Sequence, residues 1–141
     1  MCITNLCETI NWISVIVAAI VGFGLGSLWH NKIMFGKAWM EEHALKPNHA
    51  EGTNFPFVFG LTFLQFIIIA LGMEILMSAF LPDIQWFQGI AFGAFLSIFF
   101  VATTFGISFL FLKKSFKIWL IDAFYYIVSF VLMGWILAAW N

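Results

Sequence analysis

The sequence predicts an all-α polytopic integral membrane protein, with four transmembrane helices and one short interfacial helix in a single membrane domain over residues 1–141. Three observations predict it. Hydrophobic residues make up 63% of the chain and charged residues 9%, against ~45–50% and ~25% in soluble domains, so no soluble surface can be built from them. Four apolar stretches, each with the ~20 residues that a bilayer core of ~30 Å requires, nearly exhaust the chain. All six cations, every one a lysine, fall in two of the connecting loops.

The predicted spans cover about 11–30, 55–81, 84–112 and 118–140. Pro56 stands just inside the second, where its missing N–H costs nothing, and Pro82 closes that span before a very short turn, making spans two and three an antiparallel hairpin. Lys32, Lys37 and Lys46 lie between spans one and two, and Lys113, Lys114 and Lys117 between spans three and four. By the positive-inside rule these loops face the cytoplasm and both termini lie outside it. Trp12, Trp29, Trp86, Trp119 and Trp140 mark span ends, where an indole's polar N–H and apolar rings suit the headgroup zone. The first ten residues carry no cation, so they lack the charged start of a signal peptide and span one is expected to remain in the membrane.

The loop after span one reads as an interfacial helix over about 32–45, with Met34, Phe35, Ala38 and Trp39 on one face and Lys37, Glu41 and His43 on the other. Its second half, from Lys46 onward, is turn chemistry. Spans one and two do not repeat in three and four, so an inverted-repeat transporter within one chain is not supported.

The stretch Asn11-Trp-Ile-Ser-Val-Ile-Val-Ala-Ala-Ile-Val-Gly-Phe-Gly-Leu-Gly-Ser-Leu-Trp29, followed by Phe35-Gly-Lys-Ala-Trp39, resembles the opening of the bacterial membrane proteins grouped as domain of unknown function 1761 (DUF1761). Phe100-Val-Ala-Thr-Thr104, Ile121-Asp-Ala-Phe-Tyr-Tyr126, Gly134 and Trp140 are similar to its second half. After Trp29 the family pattern has Tyr-Ser-Pro where this chain has His30, Asn31 and Lys32. The resemblance spans nearly the whole chain. It implies a four-span protein of this length, in a bacterial inner membrane, and implies no activity.

An ionisable residue inside a span costs ~2.5–3.5 kcal/mol at the helix centre on insertion scales, which makes each one a candidate site. Glu74 stands about eight residues before Pro82, ~12 Å from the end of span two at 1.5 Å per residue. Ala70 and Ser78, a turn to either side, let another helix shelter its carboxyl group. It reads either as a carboxyl held by a neighbouring helix or as a carrier of a proton or cation. Asp122 lies five residues past Lys117, ~7–8 Å from the end of span four. Tyr125, Tyr126 and Ser129 follow on its face, and His30 ends span one at the same level. A fixed His30–Asp122 contact and a proton relay are the two readings of that end.

Gly89, Gly93, Ser97, Thr104 and Ser108 fall on one face of span three. Ser14, Ala18, Gly22 and Gly26 do the same on span one. Both read as packing seams, since in lipid helices associate by close contact and interhelical hydrogen bonds. Gly22-Phe-Gly-Leu-Gly26 is not a nucleotide loop, because it sits inside an apolar span. Glu41, Glu42, His43, His49 and Glu51 are of metal-ligating types but match no zinc spacing, so they read as solvated loop residues. Cys2 and Cys7 can be bridged, free or shared between two chains. No basic nucleic-acid footprint, catalytic motif, cofactor motif or metal signature is present.

Two functions follow from this reading. One is a non-enzymatic membrane protein that packs through its glycine and serine seams into a homo-oligomer or onto a larger membrane complex. The other is a small proton- or cation-coupled transporter or channel using Glu74 and Asp122, with His30 and Tyr125 beside them.

Overall fold

The computed structural model describes residues 8–45, 48 and 51–140. Cys2, Cys7, Lys46 and His49 lie outside the described residues. Among the described residues the fold is all-α, and its principal helices are α1 Trp12–Trp29, α2 Gly36–Glu42, α3 Phe55–Phe80, α4 Trp86–Phe111 and α5 Phe116–Trp140. All but α2 are long and apolar enough to cross a membrane. The 18 residues of α1 span ~27 Å and the 26 of α3 ~39 Å at 1.5 Å per residue.

Polar side chains start each long helix by taking up a backbone N–H that has no partner within the helix. Asn11 Oδ1 accepts from Ser14 at 3.2 Å, Asn54 Oδ1 from Phe57 at 3.2 Å and Ser115 Oγ from Ile118 at 3.3 Å. Gln85 and Gln88 form a reciprocal capping box at the start of α4. α2 and α4 end in Schellman turns, in which Leu45 N–H reaches the Met40 carbonyl and Lys114 N–H that of Phe109. The left-handed residue is Ala44 (φ 50°) in one and Lys113 (φ 53°) in the other, where glycine is the usual occupant.

α5 lies at the centre: α1, α2, α3 and α4 all pack on it, and α1 also packs on α3. Val15, Ala18, Phe66, Ala70, Met77, Met133 and Leu137 are buried where these helices meet. α3 and α4, joined by the short connection 81–85, do not pack along one another, so the expected hairpin is a neighbourhood in sequence only. The reason is steric. Gly89 and Gly93 let α4 touch the backbone of α5 at Gly134 and Phe130, so closely that a Cβ at Gly89 would run into the Gly134 carbonyl.

α4 changes pitch in its middle, where Ser97–Ala102 is π-helical. A π turn holds one residue more than an α turn and rotates all that follows by ~100°. The seam therefore runs Gly89, Gly93, Ser97 and then Ala102, with Gly106 next against Trp119, while Thr104 and Ser108, expected on it, are exposed. Hydroxyls serve the loosened backbone at both edges. Ser97 Oγ donates to the Gly93 carbonyl at 2.9 Å, Thr103 Oγ1 to that of Phe99 at 2.6 Å and Thr104 Oγ1 to that of Phe100 at 2.5 Å.

The short helix is α2, seven residues beginning at Gly36. Residues 30–35 are spent on turning the chain: Met34 and Gly36 both donate to the Asn31 carbonyl, at 3.0 and 2.9 Å. Met34 and Phe35 therefore precede the helix. His43 shares a side with Trp39 rather than with Lys37, because residues four apart on a helix are neighbours, and the two rings lie 4.2 Å apart.

Candidate functional site

Lys32, Lys113 and Lys114 on the connections, Lys37 on α2 and Lys117 in the first turn of α5 stand at one end of the bundle, where α1 and α4 finish and α5 begins. At this lysine end the structure brings together His30, Asp122 and Tyr125 and adds Trp39. Asp122 lies on the second turn of α5, ~9 Å from its start at 1.5 Å per residue. Its Oδ1 accepts the Trp39 indole N–H at 3.1 Å and lies 3.5 Å from His30 Nε2. Side-chain exposure is 32% for His30 and 14% for Asp122, so both groups are within reach of solvent.

His30 caps the C-terminal end of α1, with Nδ1 3.1 Å from the Gly26 carbonyl. A carbonyl brings no proton, so Nδ1 is the donor. Nε2 then faces the Asp122 carboxyl group. Tyr125 sets its ring edge-on to His30 at 5.1 Å and its hydroxyl donates to the Gly22 carbonyl at 3.4 Å. Its neighbours on α5 are bound locally, Ser129 Oγ to the Tyr125 carbonyl at 2.9 Å and the Tyr126 ring on Phe105 at 4.9 Å.

α2 is latched over this cluster. Ser115 Oγ donates to Glu42 Oε2 at 2.7 Å, and Lys117 Nζ lies 3.4 Å from Glu42 Oε1. The Ser115 hydrogen bond, more than the Lys117 ammonium beside it, holds the Glu42 carboxyl below its ordinary value of 4.5. Glu42 is thus committed to α5 and its loop. Among the described residues no three metal-ligating side chains converge.

Two adjoining depressions of about 520 and 840 Å³ open between α1 and α3, and His30, Val58 and Thr62 line both. Phe23, Phe59, Phe66 and Tyr125 make the deeper one mostly apolar. The arrangement sets an imidazole and a carboxyl group beside an apolar cleft.

Glu74 stands at the opposite end of α1. It is fully buried, and its Oε1 accepts the Asn11 backbone N–H at 3.3 Å. Asn11 Nδ2 also reaches the Trp140 carbonyl at 3.5 Å, tying α1, α3 and α5 at one point. Ala70 beside Glu74 is buried and Ser78 half-buried. A carboxyl group at this position meets both the unpaired N–H groups and the positive dipole end of α1. Along the seam between the two ends, Gly22 lies under Phe66 and Met133 and Gly26 under the Tyr125 hydroxyl.

Three features escaped sequence reasoning. The π turn was signalled by hydroxyls at Ser97, Thr103 and Thr104, which return hydrogen bonds to the backbone. The Trp39–Asp122 bond joins residues 83 apart and left no local signal. Gln65, the one amide in the interior of a span, was legible as such, and the structure leaves it on the exposed side of α3.

Comparison with curated proteins and with solved structures yields no match. The family model described as protein of unknown function (DUF1761) matches residues 13–138, which take in α1 from its second residue, the glycine seam and the whole His30–Asp122 cluster. The chain belongs to the DUF1761 family.

Proposed function

We propose that this chain is a non-enzymatic integral membrane protein that works as a subunit of an assembly, a homo-oligomer or an accessory of a larger membrane complex. The reading places its lysine end in the cytoplasm and both termini on the far side of a bacterial inner membrane, by the positive-inside rule. One observation carries it: the carboxyl groups and most of the hydroxyls inside the bundle are spent on the chain itself. Glu74 serves the α1 terminus, Asp122 serves Trp39 and His30, and Ser14, Ser97, Thr103, Thr104 and Ser129 serve backbone carbonyls. Among the described residues that leaves no three metal-ligating side chains together, while α3 and α4 each keep a long apolar side for a neighbour. Native mass spectrometry of the protein in mild detergent tests it. A fixed subunit number or a stoichiometric second chain supports the reading, and a bare monomer overturns it.

The second reading, a proton- or cation-coupled carrier, draws on the His30–Asp122 pair beside its cleft. Against it, Val15, Ala18, Phe66 and Met133 are packed between that cleft and Glu74. Proton flux into liposomes that vanishes in Asp122→Asn favours it, and unchanged flux removes it.

A further inference from the structure

Gln65 is an amide in the interior of a span, and its side chain makes no hydrogen bond among the described residues. It is the eleventh residue of α3, ~15 Å from the nearer helix end at 1.5 Å per residue. That is too deep for its amide to snorkel to water. The side of α3 that packs on α1 and α5 carries Phe66, Ala70, Met73, Glu74 and Met77. Gln65 stands on the other side, in an exposed row with Leu61, Ile68 and Gly72. The steps of four, three and four residues along this row are those of the apolar seam of a left-handed helix pair. A Cβ at Gly72 would meet nothing within 4 Å, so another helix can come close there.

We infer that α3 is the self-association face: two copies of this chain pack α3 against α3 along Leu61, Gln65, Ile68 and Gly72, with the two Gln65 amides hydrogen-bonded to each other within the bilayer. This rests on the assembly reading above and names its partner. The argument for a second copy is chemical. Two copies inserted in the same direction meet about a two-fold axis along the membrane normal, where a residue on the seam faces itself. A primary amide carries both donors and an acceptor, so it is its own complement across such an axis. A single polar residue in an otherwise apolar seam also fixes register.

Subunit counting in dilute liposomes, on otherwise wild-type protein, tests the inference together with cysteine trapping in a background lacking Cys2 and Cys7. The wild type is expected to dimerise, Gln65→Leu to weaken the dimer about tenfold and Gln65→Asn to retain it. Ile68→Cys is expected to cross-link under copper phenanthroline, and Phe99→Cys, on the exposed side of α4, to stay uncross-linked. A dimer that Gln65→Leu leaves intact, or that cross-links through Phe99→Cys but not Ile68→Cys, overturns the α3 seam while the assembly reading stands. A wild-type monomer with no second chain overturns both.

Discussion

The indole N–H of Trp119 on α5 donates to the carbonyl of Ala102 on α4 at 2.9 Å, at the last residue of the π-helical segment. A π turn spoils the regular i to i−4 ladder, and in a bilayer core no water replaces the lost bonds. Trp119 supplies one donor from a neighbouring helix, and its ring also covers Gly106. The pitch change then allows one face of α4 to follow α5 from Gly89 down to Gly106.

Trp119→Phe is therefore expected to destabilise the fold by about 1 kcal/mol, as a buried carbonyl loses its donor while most of the ring contact survives. Urea titration in detergent, followed by the remaining tryptophans, measures it. A variant as stable as the wild type would show that Ala102 is satisfied without Trp119.

Most of the fold was legible because the membrane imposes it. A helix must satisfy its own backbone in lipid, so four apolar stretches bounded by Asn11, Asn54, Pro82 and the lysine loops can hardly be anything else. What was illegible depends on contacts that cross helices or interrupt periodicity. Thr104 and Ser108 were assigned to the seam by counting at 3.6 residues per turn, a period that the π turn breaks. His43 was set apart from Trp39 although the i, i+4 spacing already joined them. At the site, the meeting of His30 and Asp122 followed from their depths alone, whereas the Trp39 bond needed the chain to turn over His30 first.

Backbone contact between α4 and α5 predicts a sharp contrast among glycines. Gly134→Ala puts a methyl group against the Gly89 carbonyl, and overpacking of this kind costs about 1–3 kcal/mol or more. Gly24→Ala, on α1 with open space around it, is expected to be neutral or to stabilise by up to about 1 kcal/mol through helix propensity. Thermal unfolding of the two variants in one detergent decides the matter. Equal midpoints would mean that α4 and α5 do not touch at Gly134.

The latch of α2 is expected to respond to acid. Glu42 is held below its ordinary 4.5 by Ser115 first and by Lys117 after it, so its carboxylate favours the folded form. Since the folded value is the lower one, the contribution is complete above 4.5 and is lost as pH falls through the folded value. Hydrogen exchange over residues 36–42, corrected for intrinsic rates, should show steady protection as pH falls from 7 to the ordinary 4.5 and a loss at lower pH. Glu42→Gln should flatten that profile while keeping an acceptor for Ser115. A wild-type profile that matches the Gln variant would remove the charge from the account.

Glu74 separates the structural account from the transport account. In the structure its carboxyl oxygen takes the Asn11 N–H at the start of α1, a task that needs an acceptor and does not need a titrating group. Glu74→Gln keeps the acceptor and is expected to change stability by less than about 1 kcal/mol, while Glu74→Ala leaves a buried N–H without its partner and costs about 1–3 kcal/mol. A coupling role predicts the reverse ranking in function. Gln would abolish pH-driven flux as completely as Ala, because an amide cannot release a proton. Unfolding midpoints and liposome flux, measured side by side on the two variants, distinguish the accounts. Stability lost only in Ala, with flux the same in all three proteins, leaves Glu74 as the carboxyl group that joins α3 to the first residues of α1.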